Sequence, residues 1–188
     1  MVKSIFNNKQ QFKTSVIYAI IFAVVLLDQI TKFTIKSVMY LYDSIEIIGD
    51  FFKLTYIENP GMAFGIQIES KILFAILSFA AAIIVLVYLI RLRNEQFLFR
   101  LSLSLILGGA IGNLIDRVLY GKVVDFLDVE FFDISLPSFK FLFINFPGYE
   151  MTRWPVFNIA DSAVTCGMIL ITWIVLFQKP SVNQEATP

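Results

Sequence analysis

Four long apolar stretches, each with at most one charged side chain, constrain this chain more than any other feature of its sequence. They cover residues 14–27, 72–90, 101–115 and 155–177. A helix needs roughly 20 residues to cross a bilayer, so the first and third stretches must continue past Asp28 and Asp116 in order to span it. We therefore predict one membrane α-helical domain, residues 1–188, with four transmembrane helices. The predicted spans are residues 14–32, 72–90, 99–117 and 155–177.

The composition argues against a soluble domain, because 57% of the residues are hydrophobic and a domain of this size could not bury so much apolar surface. The formal charge is zero, so we expect no nucleic-acid partner. The absence of histidine excludes Ser-His and Cys-His catalysis and the commonest zinc ligand. We expect no metal and no other cofactor. Cys166 is the single cysteine, and we interpret it as a packing residue.

The first apolar stretch could also belong to a cleaved signal peptide, with Lys3, Lys9 and Lys13 as its basic region. A signal peptide would be followed by a cleavage site with small residues. Here the chain continues instead as Asp28-Gln-Ile-Thr-Lys32. We therefore favour a retained transmembrane helix.

Basic residues cluster in the segments before the first span, between the second and third spans, and after the fourth. They are Lys3, Lys9, Lys13, Arg91, Arg93, Arg100 and Lys179. The positive-inside rule places these segments, and both termini, in the cytoplasm. Two longer segments then lie outside. Residues 44–65 alternate in polarity and predict a small β-rich segment on the membrane surface, whereas the Phe-rich residues 121–153, with Pro137 as a breaker, predict a loop segment.

This topology brings unusual polar residues of three helices to one depth near the outer face. They are Asp28, Lys32, Asn113, Asp116, Arg117, Asn158 and Asp161. Ionisable groups at such depth are costly unless they are paired or face a wet cavity, which makes them functional candidates. Asp28 with Lys32, and Asp116 with Arg117, could also be salt bridges that only hold helices together. Asp161 has no basic neighbour within one helical turn, so a purely structural role explains it less well.

Five sequence blocks resemble those of the lipoprotein signal peptidase (signal peptidase II) family. In chain order they are Asp28-Gln-Ile-Thr-Lys32, Asn59-Pro-Gly-Met-Ala-Phe-Gly65, Gly108-Gly-Ala-Ile-Gly-Asn-Leu-Ile-Asp-Arg117, Val123-Val-Asp-Phe126 and Phe157-Asn-Ile-Ala-Asp161. The resemblance implies a multi-pass aspartic endopeptidase of the bacterial cytoplasmic (inner) membrane, with its active site near the outer face. It further implies removal of signal peptides from prolipoproteins, with cleavage on the N-terminal side of a cysteine that bears diacylglycerol.

The resemblance also assigns roles to individual residues. It identifies Asp125 and Asp161 as the catalytic pair. It implies support or substrate contacts for Asp28, Lys32, Asn59, Gly61, Asn113, Asp116, Arg117, Asn158 and Ala160. The expected partners are prolipoproteins with a diacylglyceryl-cysteine, membrane lipid and globomycin-type inhibitors, and the expected oligomeric state is a monomer.

Two other kinds of protein remain open from the residues alone. In a small proton-coupled carrier, Asp28, Asp116 and Asp161 would form a relay. Against this, the three acids are predicted at one depth instead of across the bilayer, and no pair of broken helices suggests an inverted repeat. In a non-catalytic scaffold, the polar cluster would only assemble the helices. Hydrolysis of a lipidated precursor would exclude both as complete explanations.

Overall fold

The computed structural model describes residues 2–60, 62–63, 66–67, 71–93, 95–130, 133–141, 144–146 and 149–177. Its helices are α1 (Val2–Val38), α2 (Lys71–Arg91), α3 (Phe97–Tyr120) and α4 (Ile159–Phe177). All four contain a stretch that is long and apolar enough to cross a membrane. The prediction of a membrane protein with four such helices is therefore confirmed.

Helix α1 continues past Asp28 and helix α3 past Asp116. This was expected, because the apolar stretch before each of these acids is too short to span a bilayer. Helix α4 begins at Ile159, after the predicted start at residue 155. The residue that sets this start is Asn158, whose side-chain Oδ1 accepts a hydrogen bond from the backbone N of Asp161 at 2.9 Å. An asparagine in this position caps the first helical turn, so the residues before it form an extended approach to the helix.

Nine strands lie in the described part of the two longer connections. They are β1 (Ser44–Ile48), β2 (Phe52–Asn59), β3 (Met62–Ala63), β4 (Ile66–Gln67), β5 (Val123–Val129), β6 (Ile134–Leu136), β7 (Phe139–Phe141), β8 (Ile144–Phe146) and β9 (Tyr149–Met151). The strands β1, β2 and β5 form one antiparallel sheet in that order, and the others pair as β3–β4, β6–β9 and β7–β8. The β-rich segment between α1 and α2 is thus present.

The prediction of a loop segment between α3 and α4 is wrong, because residues 121–153 contain five of these strands. Strand β5 pairs with β2, which is distant in sequence, and its register places Asn59 opposite Val123 and Ile57 opposite Asp125. Valine-rich strands need such a partner to satisfy their backbone groups. The strand pattern of Val123-Val-Asp-Phe126 is short, and the proline and phenylalanine residues that follow it in this connection do not extend it.

A tight turn connects α3 directly to β5. Gly121 adopts φ of 70° and its N–H donates to the carbonyl of Arg117 at 3.0 Å, which ends the helix. A left-handed conformation at this position favours glycine, since other residues are strained there. The turn brings Asp125 back over the end of the helix that carries Asp116.

Helix α3 is the central helix of the membrane part. Half of its apolar span is buried, whereas the spans of the other three helices are only 11–17% buried. Glycines allow its neighbours to approach closely. A Cβ at Gly109 would overlap the carbonyl oxygen of Ala160 in α4, and a Cβ at Gly112 would lie 2.6 Å from Oδ2 of Asp28 in α1.

We expect Gly109→Ala to lower the thermal stability of the purified protein by the equivalent of about 2–3 kcal/mol, the upper range for overpacking. The reason is that the new methyl group would meet a backbone carbonyl, which cannot move without shifting α4. Gly108→Ala is the comparison, because a Cβ there would approach the Cβ of Val24 to 2.9 Å, a smaller overlap for which we expect a smaller loss of stability. Equal melting temperatures for the two variants would contradict the prediction.

Candidate active site

Two carboxyl groups lie where β5 and the first turn of α4 meet. Asp125 belongs to β5 and is 2% exposed, and the half-buried Asp161 belongs to α4. Asp125 accepts hydrogen bonds from the side-chain Nδ2 of Asn158 at 2.6 Å and of Asn59 at 3.1 Å. Asp161 accepts from Nδ2 of Asn113 at 2.7 Å and from the backbone N of Asn158 at 3.2 Å. Three asparagines therefore fix both carboxyl groups.

Asn158 contacts both acids at once. Its Nδ2 donates to Asp125, and it also lies 3.1 Å from Oδ1 of Asn113 and 3.2 Å from the carbonyl of Val124. Its Oδ1 accepts from the backbone N of Asp161. An amide donates through nitrogen and accepts through oxygen, so this pattern fixes the orientation of a side chain that is fully buried. One residue thereby relates the positions of the two acids.

A second, more deeply buried cluster surrounds Lys32. Its Nζ lies 2.8 Å from Oδ2 of Asp28 and 3.0 Å from Oδ2 of Asp116, and it donates to Oδ1 of Asn113 at 2.8 Å. The lysine and the two acids are at most 2% exposed. The cluster joins α1 to α3, and through Asn113 it connects to the pair formed by Asp125 and Asp161.

The two acids of this cluster also bind backbone groups of the elements that carry Asp125 and Asp161. Oδ1 of Asp28 accepts from the backbone N of Ala160 at 2.9 Å, and Oδ2 of Asp116 accepts from the backbone N of Val124 at 3.2 Å. The ion cluster therefore holds both α4 and β5 in place. The contribution of Ala160 to the site comes from its main chain and from its close packing against α3.

The possible pair of Asp116 with Arg117 is replaced by the pair of Asp116 with Lys32. Consecutive helical residues point about 100° apart, because a turn contains 3.6 residues. The guanidinium of Arg117 accordingly lies 4.5 Å from the centre of the Phe74 ring. Its Nε is buried and has no hydrogen-bond partner among the residues that the structure describes. Its charge still interacts with those of Asp125 and Asp161.

Sequence reasoning missed Gln29, whose Nε2 lies 3.1 Å from Oδ2 of Asp28 and 3.2 Å from Oδ1 of Asp116. It bridges the two acids and shares Oδ2 of Asp28 with Lys32. Its place three residues before Lys32 on α1 was the available signal, since such residues share a helix face. Of the other predicted site residues, Gly61 lies outside the described residues.

The environment of Asp125 favours its protonated form and raises the pKa of this carboxyl to about 7. The largest cause is burial, which penalises the charged carboxylate, followed by repulsion from Asp161. The hydrogen bonds from Asn59 and Asn158 and the charge of Lys32 act in the opposite direction. Close to neutral pH, Asp125 therefore exchanges a proton readily, as a general acid or base must.

This pKa predicts a pH-dependent stability. A raised carboxyl pKa means that the folded state binds the proton more tightly, so the stabilisation is present at low pH and is lost as the pH rises from about 4 to about 7. Between pH 5 and pH 8, we expect the wild type to lose roughly 2–3 kcal/mol of unfolding free energy from this group, at ~1.4 kcal/mol per pH unit below its pKa. Asp125→Asn removes this loss. Thermal unfolding at several pH values is the measurement.

The control for this measurement is Asp133→Asn, at an exposed position, which should keep the slope of the wild type. The prediction would be refuted by an unchanged slope in Asp125→Asn. The prediction rests on the fact that the asparagine amide cannot ionise in the pH range where the aspartate does.

The arrangement has the elements of acid–base hydrolysis by two carboxyl groups. An ionised carboxylate can take a proton from water, and a protonated carboxyl can donate one to a carbonyl oxygen or to a leaving nitrogen. Carboxyl groups that repel each other titrate as a pair, with apparent pKa values that belong to both. Together with the asparagines that orient them, Asp125 and Asp161 form the candidate active site.

Comparisons with known proteins identify relatives of the chain as a whole. The family model described as signal peptidase (SPase) II matches residues 20–177. The chain is 39% identical over 162 residues to a lipoprotein signal peptidase of Moorella thermoacetica, with 86% of this chain and 93% of the relative covered. It is 42% identical over 169 residues to one of Pelodictyon phaeoclathratiforme, with 87% and 93% covered. A bacterial membrane enzyme solved by the in meso method at 2.3 Å superimposes with a TM-score of 0.67 and 34% identity, over 93% of this chain and 94% of that one.

Proposed function

The chain belongs to the signal peptidase II family, and we propose that Asp125 and Asp161 are the catalytic pair with which it removes signal peptides from prolipoproteins. The observation that carries the proposal is their joint fixation by Asn158, which bonds one carboxyl group through its side chain and the other through its backbone. The raised pKa of Asp125, at about 7, supplies a carboxyl that holds a proton near neutral pH.

The proposed reaction is direct attack of water on the scissile peptide. The ionised carboxylate of the pair takes a proton from the water, whose oxygen attacks the peptide carbonyl carbon. The protonated carboxyl donates its proton to the carbonyl oxygen. In the second half of the reaction the C–N bond breaks and the leaving nitrogen takes a proton from the pair. One hydroxyl of the tetrahedral diol gives its proton back to the pair as the carboxyl product forms. The pair returns to its starting state with one shared proton.

The three asparagines and the ion cluster have supporting roles in this proposal. Asn59, Asn113 and Asn158 orient the acids, while Lys32 and its two carboxylate partners hold the elements that carry them. Arg117 lies at a largely apolar groove of about 450 Å³ between α2 and α3, and we assign it a substrate contact. Gly61 is assigned a substrate contact by its place in the second sequence block.

We further propose that both termini lie in the cytoplasm and that the sheet and the active site lie at the outer face of the bacterial cytoplasmic membrane. The excess of lysine and arginine at the opposite end supports this orientation. The acids then lie near the interface, where water is available, while the acyl chains of the substrate remain in lipid. Cleavage on the N-terminal side of the diacylglyceryl-cysteine, inhibition by globomycin-type compounds and action as a monomer complete the proposal.

The test is cleavage of a diacylglyceryl-modified prolipoprotein by the purified, folded protein in detergent or lipid. We expect cleavage of the modified precursor and little of the unmodified one, with mass spectrometry placing the new N-terminus at the lipidated cysteine. No cleavage by folded protein would contradict the proposal. A proteoliposome flux assay would then test the carrier that the three acids of the helices also suggested.

A further inference from the structure

The position of Asp161 relative to Asp125 depends on a short extended segment, residues 153–158, that leads into α4. The chain leaves the main sheet at the end of β5, passes through the hairpin strands and returns alongside β5 in this segment. Phe157 N donates to the carbonyl of Leu127 at 3.0 Å, and the carbonyl of Phe157 accepts from Leu127 N at 2.7 Å and from Phe126 N at 3.0 Å. Near the other end of the segment, Trp154 N donates to the carbonyl of Val129 at 3.3 Å.

This backbone pairing is concentrated at Phe157, so it specifies the alignment of the first half of the segment with β5 only weakly. Pro155 has no N–H to donate, and the bond from Trp154 is long. A slip by one residue along a strand turns every side chain to the opposite face. Such a slip would remove the Nδ2 of Asn158 from Asp125 and shift the start of α4 with Asp161. A further contact that fixes the alignment is therefore of direct importance to the catalytic pair.

Arg153, the first residue of the segment, makes that contact. Its Nε donates to Oδ1 of Asp128 at 2.7 Å, its Nη1 to Oε2 of Glu130 at 2.8 Å, and its Nη2 to the backbone carbonyl of Asp50 at 2.9 Å. Asp128 lies in β5 and is buried, and it also accepts from Oγ1 of Thr55 in β2 at 2.6 Å. A planar guanidinium is suited to such simultaneous bonds, since its donors have a fixed geometry.

We propose that Arg153 is a positioning residue that aligns residues 153–158 with β5 and thereby sets the separation of the Asp125 and Asp161 carboxyl groups. The inference rests on the proposed function of these two acids. Arg153 acts through the backbone, because its guanidinium bonds to Asp128, Glu130 and Asp50 and not to the catalytic pair. A salt bridge that only stabilised the sheet would leave the turnover of folded enzyme unchanged.

The chain offers a matched control in Lys53. Lys53 lies in β2 and pairs with Asp50, which Arg153 also contacts, and with Glu46. Lys53→Gln thus removes one positive charge beside Asp50, as Arg153→Gln does, but leaves the bonds to Asp128 and Glu130 intact. We expect Arg153→Gln to lower kcat by about 10- to 100-fold, the effect of a displacement of roughly 1 Å, with KM within about two-fold of the wild type. Lys53→Gln should keep kcat.

Two further variants separate alignment from charge and from folding. Arg153→Lys keeps the charge but lacks the planar fork, so we expect its kcat to lie between those of the wild type and Arg153→Gln. Glu130→Gln weakens the bond between Arg153 and Glu130. If Arg153→Gln does not fold, Glu130→Gln replaces it in the same kcat measurement, with a smaller expected decrease. Equal kcat per folded molecule in Arg153→Gln and Lys53→Gln would overturn the proposal.

A measurement without substrate distinguishes failure of this inference from failure of the proposed function. Repulsion by Asp161 contributes to the raised pKa of Asp125, so a wider separation should lower it. Comparison with Asp125→Asn identifies the part of the pH dependence of the melting temperature that comes from Asp125. In Arg153→Gln, this part should shift to lower pH. We expect no shift in Lys53→Gln. An unshifted profile in Arg153→Gln would overturn the positioning role whether or not the wild type cleaves a precursor.

Discussion

Asp125→Asn and Asp161→Asn should each lower the rate of prolipoprotein cleavage by at least about a thousand-fold. General acid–base catalysis by a positioned group contributes 10²- to 10⁴-fold, and each acid here is proposed to take part in both halves of the reaction. Asparagine has nearly the shape of aspartate but cannot accept the proton of water or donate one to the substrate. A turnover assay with the diacylglyceryl-modified precursor is the measurement.

These two variants should remain folded, which separates lost chemistry from lost structure. An asparagine at residue 125 keeps an oxygen for the bond from Asn158 and removes a carboxylate that burial and Asp161 both penalise. Asp133→Asn, at an exposed position, is the control and should cleave at the rate of the wild type. Substantial cleavage by either of the two active-site variants would exclude the proposed pair.

Lys32→Met should destabilise the protein by about 3–5 kcal/mol, the usual effect of removing one partner of a buried ion pair. Lys32 is the positive charge between Asp28 and Asp116, and all three side chains are almost completely buried. Without it, two carboxylates face each other inside the helix bundle. The expected observations are a strongly lowered yield of monodisperse protein after solubilisation and a lowered melting temperature.

Lys36→Met is the matched control, since Lys36 lies one turn later on α1, is exposed, and stacks on the ring of Tyr120 at 3.9 Å. Exposed cation–π contacts are worth about 0.5–1 kcal/mol, so this variant should be nearly as stable as the wild type. Neutralising the whole cluster in Asp28→Asn/Lys32→Met/Asp116→Asn should restore part of the stability. If Lys32→Met and Lys36→Met had the same melting temperature, the buried ion cluster would not have the stabilising role assigned to it.

The helices, and the gathering of polar residues near their ends, could be predicted because both depend on distances along the chain. The length of an apolar stretch determines whether it can span a bilayer, and the spacing of Asn113 and Asp116 places them on one helix face. What the spacing does not specify is how each helix is rotated towards its neighbours. The partner of Asp116 therefore proved to be Lys32 of another helix, and Gln29 was overlooked.

The part that could not be predicted rests on pairings between distant residues. Strand β5 forms against β2, and the segment before α4 forms against β5, so neither has a local signal as clear as the apolar spans. Arg153 appeared in the sequence only as one more charge in the second connection. Its importance follows from Asp128, Glu130 and Asp50, which converge on it only in the folded chain.

The double role of Asn158 has a consequence for the biogenesis of the enzyme. The same side chain caps the first turn of α4 and bonds to Asp125, so starting α4 and bringing the proposed catalytic pair together are one event. Every other described element precedes α4 in the chain and is therefore synthesised first. A nascent chain in which α4 has not yet docked holds Asp125 without Asp161. If the two acids have the proposed roles, proteolytic activity arises only after α4 has docked, and molecules inserted without α4 present no working active site to the surrounding membrane.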